Sequence, residues 1–230
     1  MIADTHITMQ KVEGAQYAQV KELYRSKLSE LNKYIEELQW WNKRINLVSR
    51  DVSRETLVMH VEHSLMLLLV PIVKEAQILL DVGTGGGLPG VPLGICRNNN
   101  ATQSVIMNDK AEKKIWALRQ IIQKIGLQGV GALAKNVATI RLSDFVDVSR
   151  ETKSKTRLTI CVTKHAFKID QLLDLVSPAL TNEFVFLKGR TEAIEEINRV
   201  KSPIKAVVYI LDGIDKTAFY DGKAIVHLSR

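Results

Sequence analysis

Cysteine is scarce in this chain, with two among 230 residues, and both lie inside apolar runs: Cys96 in GVPLGIC and Cys161 in LTICVT. They read as small core residues, which excludes a disulfide scaffold and a thiolate metal centre and sets a reducing, cytoplasmic compartment as the default. Long hydrophobic runs are missing too. The longest, SLMLLLVPIV over 64–73, is about half of what a bilayer crossing needs, contains Pro71, and reads as a buried helix end. The first residues, MIADTHITMQKVEG, lack the charged-then-apolar order of a signal peptide, so no membrane partner is expected. Internal repeats and low-complexity tracts are also lacking, beyond the short run Asn98-Asn99-Asn100. What remains is an ordinary globular composition, 46% hydrophobic and 25% charged, long enough for one good core with a smaller appended one. Its 32 Lys and Arg against 25 Asp and Glu give +7, which points towards a polyanionic partner.

Two textures divide the chain. Over 14–42, apolar residues at Val20, Tyr24, Leu28, Leu31, Ile35, Leu38 and Trp41 recur at spacings of three and four, the pattern of one amphipathic helix. A second helical pattern follows over 53–70, with Ser53 placed to cap it. Residues 1–75 therefore read as an N-terminal helical extension packed on a core formed by 76–230. From Ile78 onward, strands are expected at 78–82, 104–108, 130–134, 158–163, 183–188, 206–211 and 224–229. Helices are expected between them at 88–97, 110–126, 136–146, 168–178 and 191–201. This alternation predicts an α/β fold with a parallel, doubly wound sheet. Only 12 residues separate the last two strands, too few for a helical crossover, so the sheet should end in an antiparallel pair.

The glycine-rich stretch Asp81-Val82-Gly83-Thr84-Gly85-Gly86-Gly87 follows the first strand of this core. In a doubly wound sheet that is where a ligand sits, at the carboxyl ends of the strands. Gly85-x-Gly87-x-x-Gly90 matches a dinucleotide fingerprint, with Asp109 at a suitable distance beyond it. Pro89 and Pro92, however, fall in the first turn of the following helix, where Pro removes an N–H that a pyrophosphate would use. S-adenosylmethionine has no phosphate, and the acid two residues before the loop resembles the first motif of class I S-adenosylmethionine-dependent methyltransferases. Asp109 would then accept from the ribose hydroxyls, with a helix-capping role as the plainer reading. The segment 135-KNVA-138 would meet the adenine edge through Asn136 or a backbone N–H.

The run Asp81-Val82-Gly83-Thr84-Gly85-x-Gly87-Leu88-Pro89-Gly90-x-Pro92-Leu93 resembles the signature of the small-subunit (16S) rRNA guanine-N7 methyltransferases, the family also called glucose-inhibited division protein B. WNKRINLVS over 41–49 is similar to that family's Trp-Asn-Lys-x-x-Asn-Leu block. His60, Ser64-Leu65, Asp109, Lys113-Lys114, Ala166-Phe167 and Leu187-Lys188-Gly189 fall in its order and spacing. The resemblance implies a class I methyltransferase (Rossmann-like) domain with the helical extension, and methyl transfer from S-adenosylmethionine to a guanine N7 in small-subunit rRNA or a ribosomal particle, by a monomer. It places Gly83, Leu88, Val137, Ala138 and His165 against the cofactor, beside Asp81, Thr84, Gly85, Gly87, Asp109 and Asn136, which the loop and the strand ends already put there. Departures occur at His165, where the family usually has Arg, at His63, where Asp is usual, at Met59, where Arg is usual, and at Asn136-Val137-Ala138, where Arg-Ala-Glu is typical. Alternatives are a same-fold methyltransferase acting on another RNA, a protein or a small molecule, and an RNA- or nucleotide-binding module with impaired catalysis.

After the fourth core strand the chain reads VTKHAFK, with neither the Asn/Asp-Pro-Pro-aromatic motif of amine methylation nor the cysteine of pyrimidine-carbon methylation. Guanine N7 has a free lone pair and no proton, so no general base is named. Lys164, His165 and Lys188 are expected to position the guanine and its phosphate. Lys43, Arg44, Arg50 and Arg54, with His60, are expected to contact RNA, and Arg150, Lys153, Lys155 and Arg157 form a second basic cluster. Trp40 and Trp41 read as core or interhelix packing in preference to a base-stacking platform, and Asn42 and Asn46 as braces of the turn.

Overall fold

The computed structural model describes residues 5–97, 103–145 and 158–230. The first elements are β1 (Thr5–Lys11), α1 (Gly14–Ser26), α2 (Leu28–Asn42), α3 (Arg54–Leu65) and α4 (Pro71–Glu75). The core then runs β2 (Ile78–Val82), α5 (Gly90–Cys96), β3 (Ser104–Asp109), α6 (Glu112–Ile125), β4 (Val130–Ala134), β5 (Thr159–Lys164), α7 (Ile169–Leu175), β6 (Glu183–Gly189), α8 (Arg190–Ile197), β7 (Ile204–Ile210) and β8 (Lys223–Ser229). Among the described residues one sheet orders as β1-β7-β8-β6-β5-β2-β3-β4. β8 is antiparallel to both β6 and β7, and the other neighbours are parallel.

The central strands β2 and β5 are buried along nearly their whole length because both faces of the sheet are covered. On one face α1, α2, α3, α5 and α6 build a core around Leu31, Tyr34, Leu38, Leu57, Leu65, Val91 and Leu118. On the other, α7 and α8 pack Ile169, Leu172, Ala193 and Ile197 against Leu80, Phe184 and Phe186. Several of the helical boundaries follow from local chemistry. Ser53 Oγ accepts from Thr56 N at 3.1 Å at the start of α3, and Gly126, in the left-handed region, ends α6.

Three departures from the sequence reading have physical causes. The expected single helix over 14–42 is two, broken at Lys27 (φ −115°, ψ 20°). Leu28, counted in the apolar stripe, is 44% exposed, because the break gives α1 and α2 separate buried faces. The expected helix at 136–146 is instead a pair of 3-10 turns at Val137–Thr139 and Leu142–Asp144. Asn136 Oδ1 takes the Ala138 N–H and Asp144 Oδ2 the Arg141 N–H, so short polar side chains capture donors that a helix would use. Finally, the antiparallel pair is present but does not end the sheet. β1 pairs in parallel with β7, from Thr5 opposite Ile204 to Lys11 opposite Ile210. This strand is polar and lies at an edge, so its alternation is too weak to stand out in the sequence. The basic cluster Arg150, Lys153, Lys155 and Arg157 lies outside the described residues.

Candidate active site

A cavity of about 760 Å³ opens at the carboxyl ends of β2, β3, β4 and β5. Its floor is the loop after β2. Gly83 N and Thr84 N both donate to Asn108 O, at 2.8 and 2.9 Å, tying the loop to β3. Gly83, Gly85 and Gly87 have positive φ. The glycine density reflects two different neighbours. Gly83, Gly85 and Gly86 line the cavity, but Gly86 also lies against Leu38 and Leu47, and Gly87 against Val91, Leu118 and Tyr34. Tyr34 Oη donates to Gly86 O at 3.0 Å. The N-terminal layer thus closes directly on the loop and is part of the site.

Asn42 explains how. Its Oδ1 accepts from Leu47 N and Val48 N, both at 2.9 Å, and its Nδ2 donates to Ser49 O at 3.0 Å. One buried amide therefore folds the segment after α2 so that Leu47, Val48 and Ser49 form a cavity wall. The sequence reading named Asn42 as a brace, and did not name the wall residues it supports.

Asp81 does not line the cavity. Fully buried, its Oδ2 accepts from Thr84 Oγ1 at 2.5 Å and Gly90 N at 2.8 Å, so it acts through the loop's shape. Burial pushes its carboxyl up to about 7, against the pull of those two donors. Asp109 does face the cavity. Its Oδ2 accepts from Gly85 N at 3.2 Å and its Oδ1 from Ala111 N at 2.9 Å, which joins the loop to the start of α6. Thr84, Leu88, Asn136 and Val137 also line the cavity. Gly87 and Ala138 do not, and the Ala138 N–H is held by Asn136 Oδ1.

Opposite Asp109 stand Lys164, His165 and His60. Lys164 Nζ donates to His60 O at 3.0 Å and lies 3.1 Å from His60 Nδ1. Burial, with the nearby Lys223, pushes the Lys164 amine down to about 7. Burial and the Lys164 charge hold His60 down to about 4 and His165 below its usual range. His63, wholly buried behind them, is held well below its usual range by the same causes, burial first. His165 occupies the left-handed region at φ 55°, uncommon for a non-glycine residue, with its N–H donated to Leu187 O at 3.2 Å. Strain of this kind collects where a site fixes a side chain's direction.

A stability measurement isolates Lys164. Its folded-state value is below that of the unfolded chain, so between pH 7 and 9 the unfolded chain binds more protons and stability rises with pH. Asp81, raised to about 7, acts mainly below this window, whereas the thiols of Cys96 and Cys161, raised by burial from their ordinary value of 9.0, lower stability towards its upper end, so Lys164 is read from the difference between wild type and a variant that lacks it. Because the amine faces a cavity that water screens, the expected gain is about 1–2 kcal/mol. In urea unfolding, the stability of wild type should rise by that amount relative to Lys164→Met between pH 7 and 9. An equal rise in wild type and variant would remove Lys164 as the source.

Other expected residues are placed elsewhere. Lys188 does not reach the cavity. It is 2% exposed, with Nζ 3.1 Å from Glu196 Oε2, 3.3 Å from Glu192 Oε1 and 3.0 Å from Phe167 O. Arg54 donates to Asn32 Oδ1 at 2.9 Å and lies 3.7 Å from Glu36, which draws it back towards α2. Lys43, Arg44 and Arg50 are exposed at the turn after α2. Lys110, Lys114, Ala166 and Phe167 line the cavity and were not among the expected site residues, though their motifs follow the second and fourth core strands, where such a site would draw residues.

The fold agrees with a solved structure, that of the METTL16 methyltransferase domain, at a TM-score of 0.50 and 11% identity, covering 93% of this chain and 91% of that one. A curated relative from Cytophaga hutchinsonii, named ribosomal RNA small subunit methyltransferase G, is 33% identical over 197 residues, 82% of this chain and 85% of its own. A protein of the same name from Pelodictyon phaeoclathratiforme is 28% identical, over 86% and 83%. With the one from Chlorobaculum tepidum the identity is 38%, over a shorter match that spans about half of each chain, 51% and 52%. The family model described as GidB, rRNA small subunit methyltransferase G, matches residues 27–209, from the residue after α1 into β7. Both the helical layer that shapes the cavity wall and the glycine loop beneath it fall inside that match, and the chain belongs to the rRNA small subunit methyltransferase G family.

Proposed function

We propose that this chain transfers a methyl group from S-adenosylmethionine to N7 of a guanine in 16S rRNA. The observation that carries the reading is the pairing of a positive-φ glycine loop with Asp109 across one cavity, at the strand ends of a family member's fold. About 760 Å³ suits a cofactor together with part of a base, as ligand cavities run to roughly 300–1,000 Å³. The loop fits this cofactor in particular, since its backbone is brought close without presenting a pyrophosphate cradle. When bound, S-adenosylmethionine supplies an electrophilic methyl on sulfur.

The protein's own groups divide the remaining work. Gly83, Thr84, Gly85 and Leu88 form the surface against which the cofactor rests, and Asp109 accepts from its ribose hydroxyls. Asn136 and Val137 meet the adenine. Asp81 and Gly87 hold the loop in shape. Lys164 and His165, whose charged forms burial disfavours, hydrogen-bond the guanine while placing less positive charge beside a sulfonium than an ordinary lysine would. A guanine N7 lone pair needs no base, so orientation is the main contribution. Among the described residues no helix is long and apolar enough to cross a membrane. A ribosomal RNA substrate, met as RNA or as a particle, puts the proposed enzyme in the cytoplasm, acting as a monomer.

The test is methyl transfer from isotopically labelled S-adenosylmethionine to unmodified small-subunit rRNA and particles, with nucleoside mass spectrometry. Label in 7-methylguanosine is expected. Label in another nucleoside, or none from folded protein that binds the cofactor, would overturn the substrate assignment. His165→Ala should lower turnover roughly ten- to a hundredfold. Unchanged cofactor affinity and turnover would remove His165 from the site.

A further inference from the structure

All three tryptophans of the chain, Trp40, Trp41 and Trp116, gather in one surface strip between α2 and α6. Trp41 stands at the centre, with ring centroids 4.9 Å from Trp40 and 5.1 Å from Trp116, both edge to face. The outer two are not core residues: Trp40 is 48% exposed and Trp116 is 53% exposed. The expectation of interhelix packing holds for Trp41, which packs partly buried against the core, and fails for Trp40. Two helices that needed only a seam between them would not leave about half of each outer indole in water. Arg44 adds to the strip, its guanidinium carbon 3.4 Å from the Trp40 ring centroid and its Nη1 donating to Trp40 O at 2.8 Å. The cation is thus held flat on an aromatic surface.

The surroundings are those of a polyanion site. Lys113 is exposed one turn before Trp116, on the same face of α6. Lys43 is exposed beside Arg44. Glu36, Glu37 and Glu112 stand on the same helices, with Glu36 lying 3.7 Å from Arg54. The strip adjoins the cavity lining along the chain on both helices, since Lys110 and Lys114 line the cavity shortly before Trp116 and Leu47 and Val48 line it shortly after Arg44.

We propose that this strip is a stacking platform for single-stranded RNA that flanks the nucleotide held in the cavity, with bases on Trp116 and on the Arg44 guanidinium layered over Trp40, and phosphates on Lys43 and Lys113. The proposal rests on the RNA-methylating reading above and adds the surface that recognises the strand. Base stacking on these planar faces is indifferent to sequence, while the lysines follow the backbone, so the platform supplies affinity and orientation and leaves the choice of nucleotide to the cavity.

With no tryptophan elsewhere in the chain, intrinsic indole fluorescence reports on this strip alone. Titration with an oligoadenylate of about 12 nucleotides should quench it. Trp40→Ala and Trp116→Ala should each weaken that binding about tenfold, and the corresponding Phe variants should recover part of the loss. Cofactor affinity, measured by calorimetry with S-adenosylhomocysteine, should stay at the wild-type value, and the melting temperature should fall by about 2–4 °C at most, since each variant loses one edge-to-face contact. Absence of quenching, or Ala variants that bind RNA as the wild type does, would overturn the platform. So would sedimentation showing that the wild type is a dimer and that the Ala variants turn it into monomers with RNA affinity unchanged, since the strip would then be a contact between copies. Loss of rRNA methylation by the wild type with quenching intact would sink the function and leave the platform. Methylation by the Ala variants at wild-type KM would do the reverse.

Discussion

Gly83→Ala is expected to weaken cofactor binding by at least about a hundredfold, equivalent to roughly 3 kcal/mol. A methyl group at this position would lie 2.4 Å from Ala166 Cβ and 3.0 Å from Phe167 Cε2. Neither neighbour can yield freely. Ala166 has no side-chain torsion, and its backbone follows His165, whose N–H is tied to Leu187 O. The residue would also keep φ near +73°, a region L residues adopt only with strain of about 1–3 kcal/mol. Relief would come by pushing apart the loop after β2 and the segment after β5, which face one another across the floor of the cavity. Gly83→Ala with Ala166→Gly removes the closest contact and should restore part of the affinity, leaving the strain. Gly126→Ala is the control, with similar φ and open space around it, and should cost about 1 kcal/mol of stability with no effect on binding. Calorimetry with S-adenosylhomocysteine measures all three. Wild-type affinity in Gly83→Ala would mean that the loop is not the cofactor's floor.

Local patterns in the sequence carried far into this fold, and their failures share a cause. The seven core strands are marked by apolar runs bounded by turn residues, and those marks survive because β2, β5 and β6 are buried on both faces. β1 has no such mark, since an edge strand half in water needs little hydrophobicity. The break at Lys27 is hidden because two helices with separate buried faces leave a stripe that still counts in threes and fours. Site residues divide in the same way. Gly83 is legible because its positive φ requires glycine, and Asp109 because only a short acid at a strand end can take both the Gly85 and the Ala111 N–H. Leu47 and Val48 are not, since any apolar pair held by Asn42 would serve as a wall. Lys188 was misread for a different reason. Position in the strand order placed it beside Lys164, but side chains alternate along a strand, and only burial shows which face a lysine takes.

Lys188→Met should therefore destabilise the fold by about 3–5 kcal/mol, which lowers the melting temperature by roughly 10 °C. Methionine fills most of the same space, so the loss is electrostatic. It would leave Glu196, 1% exposed, without its cation, holding only the Ile169 N–H at 2.8 Å. Phe167 O would lose its donor as well. Adding Glu196→Gln should recover most of the loss, because glutamine keeps an acceptor for Ile169 N and removes the stranded charge. The double variant also distinguishes the two roles assigned to this lysine. If Lys188 only braces the segment 165–167 from behind, methyl transfer should return along with stability. If it touched the substrate, the double variant would be stable and inactive. The buried geometry favours the first outcome, since an amine bonded to Glu196, Glu192 and Phe167 has its three donors in use and would have to abandon a carboxylate in the core to reach the guanine.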